Sequence, residues 1–158
     1  MADPISGETN IHASCVAIDG QGALLLGASG AGKSDLALRL IDSGARLVAD
    51  DRTILFVKNG ALHAKAPPSI KGLLEIRGVG IVKLPVRASV KLALAVTLGR
   101  EGARLPTLHF YRPPSALKTT TKLPQITLDA RFASTPAKIR AALAAFSHAL
   151  FRDSFILK

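Results

Sequence analysis

Residues 24–40 read LLLGASGAGKSDLALRL, and the order of features inside this stretch decides the fold. Three leucines suit a buried strand. A glycine-dense turn follows. Leu36, Ala37, Leu40 and Ile41 then recur at helical spacing over 34–43, and Gly44 is placed to stop the helix. Strand, tight turn and helix in that order are the nucleus of an α/β domain. The turn itself, Gly27, Ala28, Ser29, Gly30, Ala31, Gly32, Lys33 and Ser34, fits the pattern G-x-x-x-x-G-K-[ST] in full. Each residue type in the pattern has a physical task. Glycines let backbone N–H groups crowd an anion with no Cβ in the way. The lysine reaches terminal phosphates, and the Ser34 hydroxyl can ligate Mg²⁺. The positive end of the helix points at the anion. These eight residues are the candidate phosphate cradle, a P-loop of the Walker A type.

A phosphate cradle names no reaction by itself, so the next apolar run matters. LVA (47–49) ends in Asp50 and Asp51. Adjacent side chains on a strand point apart. One carboxylate can then face a metal or its water shell while the other faces a substrate hydroxyl. That pair suits a kinase, which needs a metal partner and a base; a solvated turn pair is the plain alternative. The sequence holds no N-K-x-D guanine-reading motif, which argues against a GTPase.

Outward from this centre, SCVAI (14–18) and ALLLG (23–27) read as strands around the turn DGQG. TILFV (53–57) and ALHAK (61–65) flank KNG as a hairpin. PPSIKG (67–72) reads as a loop, and EIRGVGIVKLP (75–85) mixes β-branched residues with two glycines. VKLALAVTL (90–98) and ITLDA (126–130) read as strands, and 99–123 as a turn-rich, basic, mobile segment. Ser134 or Thr135 is placed to cap a last helix with Pro136 in its first turn and Ile139, Ala142, Leu143, Phe146 and Leu150 on its apolar face. The expectation is an α/β P-loop domain over residues 1–158, a strand-rich sheet with few helices, preceded by a flexible N-terminus over 1–10. Strand–helix alternations are too few for a large doubly wound sheet.

Composition sets the outer bounds. The chain has 158 residues, 48% of them hydrophobic, enough for a core of its own. No apolar run is long enough to cross a bilayer, and the first residues lack the pattern of a secretory signal, so a soluble cytoplasmic protein without a membrane partner is expected. Cys15 is the single cysteine, which excludes an internal disulfide and a thiolate metal cluster. Charge is uneven. Residues 1–75 carry 7 Lys+Arg against 8 Asp+Glu, and residues 76–158 carry 14 against 3. A basic half of this kind is either a solvated face or a dock for something acidic. Nucleic acid is disfavoured, because Tyr111 is the only Tyr or Trp and the basic residues are scattered.

In three blocks, taken in order, the chain resembles the catalytic domain of HPr kinase/phosphorylase. The blocks are His12 with SCVAI and GASGAGKS, then RLVADD (46–51), then LLEIRGVGIV (73–82). The likeness is firm over about residues 11–84 and thinner beyond, and it fits a short, one-domain, α-proteobacterial type. It implies an ATP- and Mg²⁺-dependent protein serine kinase acting on the phosphocarrier protein HPr, with phosphorolysis of phosphoserine-HPr as a further activity. It implies Asp50 as the base that takes the serine proton, supported by Asp51, with His12 beside the carboxylates. Lys33 belongs to the catalytic set as well. Glu75 would join Ser34 at the metal, and Arg77 would stabilise phosphoryl charge. Arg131, in LDARFAS (128–134), falls where the family carries an arginine-containing stretch. Assembly into a homo-oligomer stays open for this chain. A nucleotide-binding regulatory module without catalysis is the second reading, and a nucleic-acid-binding ATPase, resting on charge alone, the third.

Overall fold

A computed structural model of the chain describes residues 7–152. The elements run β1 (Thr9–His12), β2 (Ser14–Ile18), β3 (Gln21–Leu26), α1 (Lys33–Asp42), β4 (Arg46–Ala49), β5 (Arg52–Lys58), β6 (Ala61–Lys65), β7 (Leu73–Ile76), β8 (Gly80–Lys83), β9 (Ser89–Leu98), β10 (His109–Phe110), β11 (Pro124–Leu128) and α2 (Thr135–His148). The architecture is strand-rich α/β with few helices, as expected. Residues 1–6 of the N-terminal segment expected to be flexible lie outside the described residues, and Thr9 and Asn10 of that segment already belong to β1.

One mixed sheet of nine strands carries the fold, with main order β1-β5-β6-β9-β3-β2-β4, and β11 and β10 continuing beyond β9. β9, ten residues long, is its spine. Along one edge it pairs with β3 in parallel; along the other, its first residues pair with β6 and its last with β11. β7 and β8 form a separate hairpin, so the 75–85 stretch is two short strands rather than one.

Both helices lie on one face. Val16, Ile18, Leu25, Leu94 and Val96 pack there against Leu36 and Leu40 of α1 and Ile139 and Leu143 of α2. The opposite face is covered by the sheet's own curl and by residues 111–123. Cys15, Leu24, Leu55, Leu62 and Leu92 pack there with Leu117 and Leu123. Cys15 is fully buried, and burial pushes its thiol pKa well up, so it behaves as a small hydrophobe.

The parity of β9 changes faces midway. Val90 and Leu92 belong to one core and Leu94 and Val96 to the other, although all four are even-numbered. The cause is a register shift in which Gly22 pairs with Leu92 but Ala23 with Leu94, so Ala93 is an extra residue, a bulge. Without it a period-2 strand could not feed both cores.

Two arginines tie the helices together. Arg140 of α2 donates to the carbonyls of Leu40 and Ser43 at the end of α1. Gly44, at φ +111°, and Ala45 complete that end with N–H bonds to Ile41 and Leu40, the paired pattern of a glycine-stopped helix. Arg39 of α1 donates to the carbonyls of Ala130 and Phe132, just before α2. The start of α2 differs from expectation. Ser134 sits at the cap but makes no side-chain cap bond, and Thr135 instead donates to the carbonyl of Asp129. Residues 99–123, expected to be mobile, are tied to the sheet where β10 pairs with β11 and where Thr120 N–H meets the Gly60 carbonyl at 2.8 Å; Tyr111 N–H to the Leu123 carbonyl at 2.8 Å closes the segment on itself.

The β11–α2 junction is fixed by Asp129, which is 7% exposed. Its carboxylate accepts the Arg131 N–H at 2.9 Å and a two-point guanidinium contact at 3.0 and 2.7 Å. The Arg131 side-chain hydrogen bond, reinforced by its backbone N–H, draws the Asp129 pKa down to about 2. A carboxyl with lowered folded-state pKa stabilises the fold fully above its unfolded value of about 3.9 and loses that contribution as pH falls further. Asp129→Asn should therefore lower the melting temperature at neutral pH, and the gap to wild type should close as pH is taken from about 5 towards about 2. Circular-dichroism melts across that range test this; a gap that stays constant would remove the ionised carboxylate from the account.

Candidate functional site

The strand order places the chemistry. β2 lies between β3 and β4 and runs antiparallel to both. Its first residue, Ser14, therefore sits at the end where β3 gives way to the glycine-rich loop and β4 to the acidic pair. That end of the sheet opens into a cleft of about 460 Å³ lined by His12, Ser29, Gly30, Gly32–Asp35, Leu38, Asp51 and Glu75–Arg77. A larger cleft of about 800 Å³ lies against β10 and β11 and shares no residue with it. The smaller one gathers the candidate residues.

Within the loop, the positions divide. Ser29, Gly30, Gly32, Lys33 and Ser34 face the cleft. Gly27, Ala28 and Ala31 do not line it. The carbonyls of Gly27 and Ala28 accept the Lys33 ammonium at 2.7 and 3.0 Å, and Ala31 N–H bonds to the Ala28 carbonyl at 3.0 Å. Lys33, 6% exposed, thus holds its own loop closed. At Gly30, φ is +83° and an added Cβ would meet nothing within 4 Å, so that position borders open cleft. Gly32, at φ +98°, turns the chain into α1, whose first N–H groups have no helical acceptor. A backbone concavity without Cβ atoms, beside a lysine and a helix start, fits a phosphate group.

The acidic pair splits, but it lies beyond the end of β4, so a turn rather than strand alternation separates the two side chains. Asp50, 7% exposed, points inward. Its Oδ1 accepts the Ser34 hydroxyl at 2.7 Å and the Ser14 hydroxyl at 2.9 Å. Asp51 points outward, with a side chain 67% exposed, and meets His12 Nε2 at 2.9 Å. Asp51 has φ +66° without being glycine, and Arg52 N–H bonds back to the Asp50 carbonyl at 2.7 Å. This is a tight three-residue turn centred on Asp51, a conformation costing about 1–3 kcal/mol and typical of functional sites.

Glu75 and Arg77, on the β7–β8 hairpin, are exposed side chains on the same cleft. All three sequence blocks therefore converge on one place. Among the described residues no three His, Cys, Asp or Glu side chains form a ready metal cage. Mg²⁺ does not need one, since it takes one or two carboxylates, water and substrate phosphates. The Ser34–Asp50 oxygen pair suits that habit: the hydroxyl donates its proton to the carboxylate and keeps its lone pairs for a cation. No helix among the described residues is long and apolar enough to cross a membrane.

Ser14 is the site residue that sequence reasoning missed. It looks like the opening residue of an apolar strand. The available signal was its spacing, two residues after His12, at the position where an otherwise apolar strand starts with a hydroxyl.

Comparison with known proteins follows this geometry. A family model described as HPr Serine kinase C-terminal domain matches residues 3–98, which include every candidate site residue from His12 to Arg77. The HPr kinase/phosphorylase of Clostridium acetobutylicum is 46% identical over 85 residues, 54% of this chain and 28% of that protein. That of Brevibacillus brevis is 49% identical over 85 residues, 53% of this chain and 27% of that protein. The chain thus spans roughly a quarter of the length of these curated relatives. A solved structure of the Hpr(Ser) kinase/phosphatase from Coxiella burnetii superposes with a TM-score of 0.72 at 25% identity, covering 90% of this chain and 91% of that one.

The loop geometry carries its own test. Gly32→Ala puts a Cβ at left-handed φ and within 3.3 Å of the Ala130 Cβ. It should destabilise the fold by about 1–2 kcal/mol, read as a lowered urea midpoint. An unchanged midpoint would show that the turn into α1 does not require a left-handed residue.

Proposed function

The chain belongs to the family of the HPr serine kinase C-terminal domain, and from that premise we propose that it is a Mg²⁺-dependent kinase transferring phosphate from ATP to a serine of HPr. The loop at 27–34 is then a P-loop, and a soluble, cytoplasmic setting goes with the reading. The observation that carries it is the 2.7 Å bond between Ser34 and Asp50, which joins the glycine-rich loop to the acidic pair. His12, Ser29, Gly30, Gly32, Lys33, Asp51, Glu75 and Arg77 line the same cleft, while Gly27, Ala28 and Ala31 sit behind it.

The roles follow from where each side chain stands. The N–H groups of the loop and the start of α1 bind the phosphate chain, and the Lys33 ammonium, released from the Gly27 and Ala28 carbonyls, turns to the terminal phosphates. Ser34 and Glu75 hold Mg²⁺, which when bound neutralises charge on the phosphates. Both serine hydroxyls bind Oδ1 of Asp50, so Oδ2 is the oxygen for the substrate. A serine hydroxyl is a poor nucleophile at neutral pH. Asp50 takes its proton as the new O–P bond forms and ADP leaves with the electrons of the broken bond. Asp51, held by His12, supports the carboxylate beside it, and Arg77 offers positive charge to the transferring group. In phosphorolysis of phosphoserine-HPr by inorganic phosphate, Asp50 returns the proton.

Transfer from labelled ATP to HPr, with and without Mg²⁺, tests the reading. Asp50→Asn should keep nucleotide affinity and lose about 10²–10⁴-fold in transfer rate. If Asp51→Asn loses the activity and Asp50→Asn keeps it, the base role passes to Asp51. ATP binding by the wild type with no transfer to HPr would favour a regulatory nucleotide-binding module instead.

A further inference from the structure

We propose that Ser14 is the positioning residue of the acidic pair, its single hydroxyl fixing the Asp50 carboxylate and the Asp51 backbone together. The inference rests on the kinase reading above and adds a residue to it.

Ser14 is 0% exposed. Its Oγ donates to Asp50 Oδ1 at 2.9 Å and accepts the Asp51 N–H at 3.1 Å. A hydroxyl has one proton to donate and lone pairs to accept with, so one atom can serve both neighbours. The two bonds do different things. The donated one holds the Asp50 carboxylate from β2, while Ser34 binds the same oxygen from the start of α1. The accepted one holds the peptide that leads into Asp51, the residue at φ +66°. Without a partner on that N–H, the tight turn at Asp51 would have less to hold it.

The neighbourhood shows the same purpose. Ala13 N–H bonds to the Asp51 carbonyl at 3.0 Å, and the buried Thr53 hydroxyl donates to the Ala13 carbonyl at 2.8 Å. His12 binds the Asp51 side chain. The corner between β1 and β2 therefore grips the acidic turn by backbone and side chain alike. An apolar residue at 14 would suit the flanking core, since Ala13, Cys15 and Val16 are all fully buried. A buried hydroxyl is costly unless it is bonded. Here both of its bonds go to the acidic pair.

The test is steady-state transfer to HPr by Ser14→Ala and Ser14→Thr, with ATP affinity measured separately by a fluorescent nucleotide and folding by thermal melt. Ser14→Ala should lower kcat by about 10- to 100-fold, as misplacement of a reacting group does. Its ATP affinity should stay within about twofold of wild type, because Ser14 does not line the cleft. Ser14→Thr, which keeps the hydroxyl, should recover most of the rate. If the threonine variant does not fold, the separation of kcat from ATP affinity in Ser14→Ala decides alone. Wild-type transfer with an unaltered kcat in Ser14→Ala would overturn this proposal and leave the kinase reading standing. A loss shared equally by kcat, ATP affinity and melting temperature would also overturn it. A wild type that binds ATP and transfers nothing would overturn the kinase reading itself, and this role with it.

Discussion

A carboxylate taken out of water must be met by donors, and Asp50 is such a carboxylate. Burying an ionised group without partners costs several kcal/mol or more. Its Oδ1 is met by two serine hydroxyls from different parts of the chain, Ser14 at the head of β2 and Ser34 in the first turn of α1. Satisfying this one oxygen draws three segments together: the strand before the site, the glycine-rich loop and the end of β4. The contact is local, yet it needs β2 to run against both β3 and β4, an arrangement that the two-residue turn at Asp19 and Gly20 already sets for β2 and β3. Were β2 parallel to them, Ser14 would emerge at the far end of the sheet. The topology of the central sheet thus brings the donors to the one side chain that requires them.

The sheet supplies the rigidity that such a contact needs. β3, β2 and β4 are buried nearly throughout, and β9 braces β3 on its other side. The bulge at Ala93 lets β9 serve both cores, so the strand next to the loop is packed from above by the helices and from below by Leu62 and Leu123. The loop and acidic turn are conformationally expensive, with left-handed residues at Gly30, Gly32 and Asp51. Such conformations persist only where their surroundings over-determine them. Here the surroundings are a doubly packed sheet and a β1–β2 corner stitched to residues 50–53.

Much of this was legible in the residues. The motif at 27–34, the acidic pair, the β-rich balance and the main strands and helices all announce themselves by periodicity and by glycine placement. Asp50 and Asp51 do face opposite ways, but through the left-handed turn at Asp51 past the end of β4, which the alternation rule did not foresee. What was not legible depends on pairing partners. The bulge at Ala93 leaves VKLALAVTL with an unbroken even-numbered apolar pattern, because the bulge moves faces without moving letters. Ser14 looks like any strand residue until Asp50 and Asp51 are seen around it. Thr135 and Ser134 are equivalent caps in one dimension; Asp129 decides between their roles in three. The separation of β7–β8 from the main sheet likewise depends on what β9 pairs with.

The basic second half looks different once its contacts are known. Arg131 is paired with Asp129, Lys138 with Glu101, and Arg140 with the carbonyls at the end of α1. These charges hold α2 and its approach to α1, and they account for part of the sequence's charge imbalance without any partner. This also bears on why the likeness to relatives behaves as it does. The family model ends at residue 98, whereas the structural likeness covers 90% of the chain. On the proposed function, the first part carries the side chains that would bind phosphate and move a proton, and such side chains must keep their chemistry, so it stays readable as sequence. A helix pinned through backbone carbonyls asks only for donors that can reach them, and many sequences meet that demand. Arg104, Arg112 and Lys118 have no such structural assignment among the described residues.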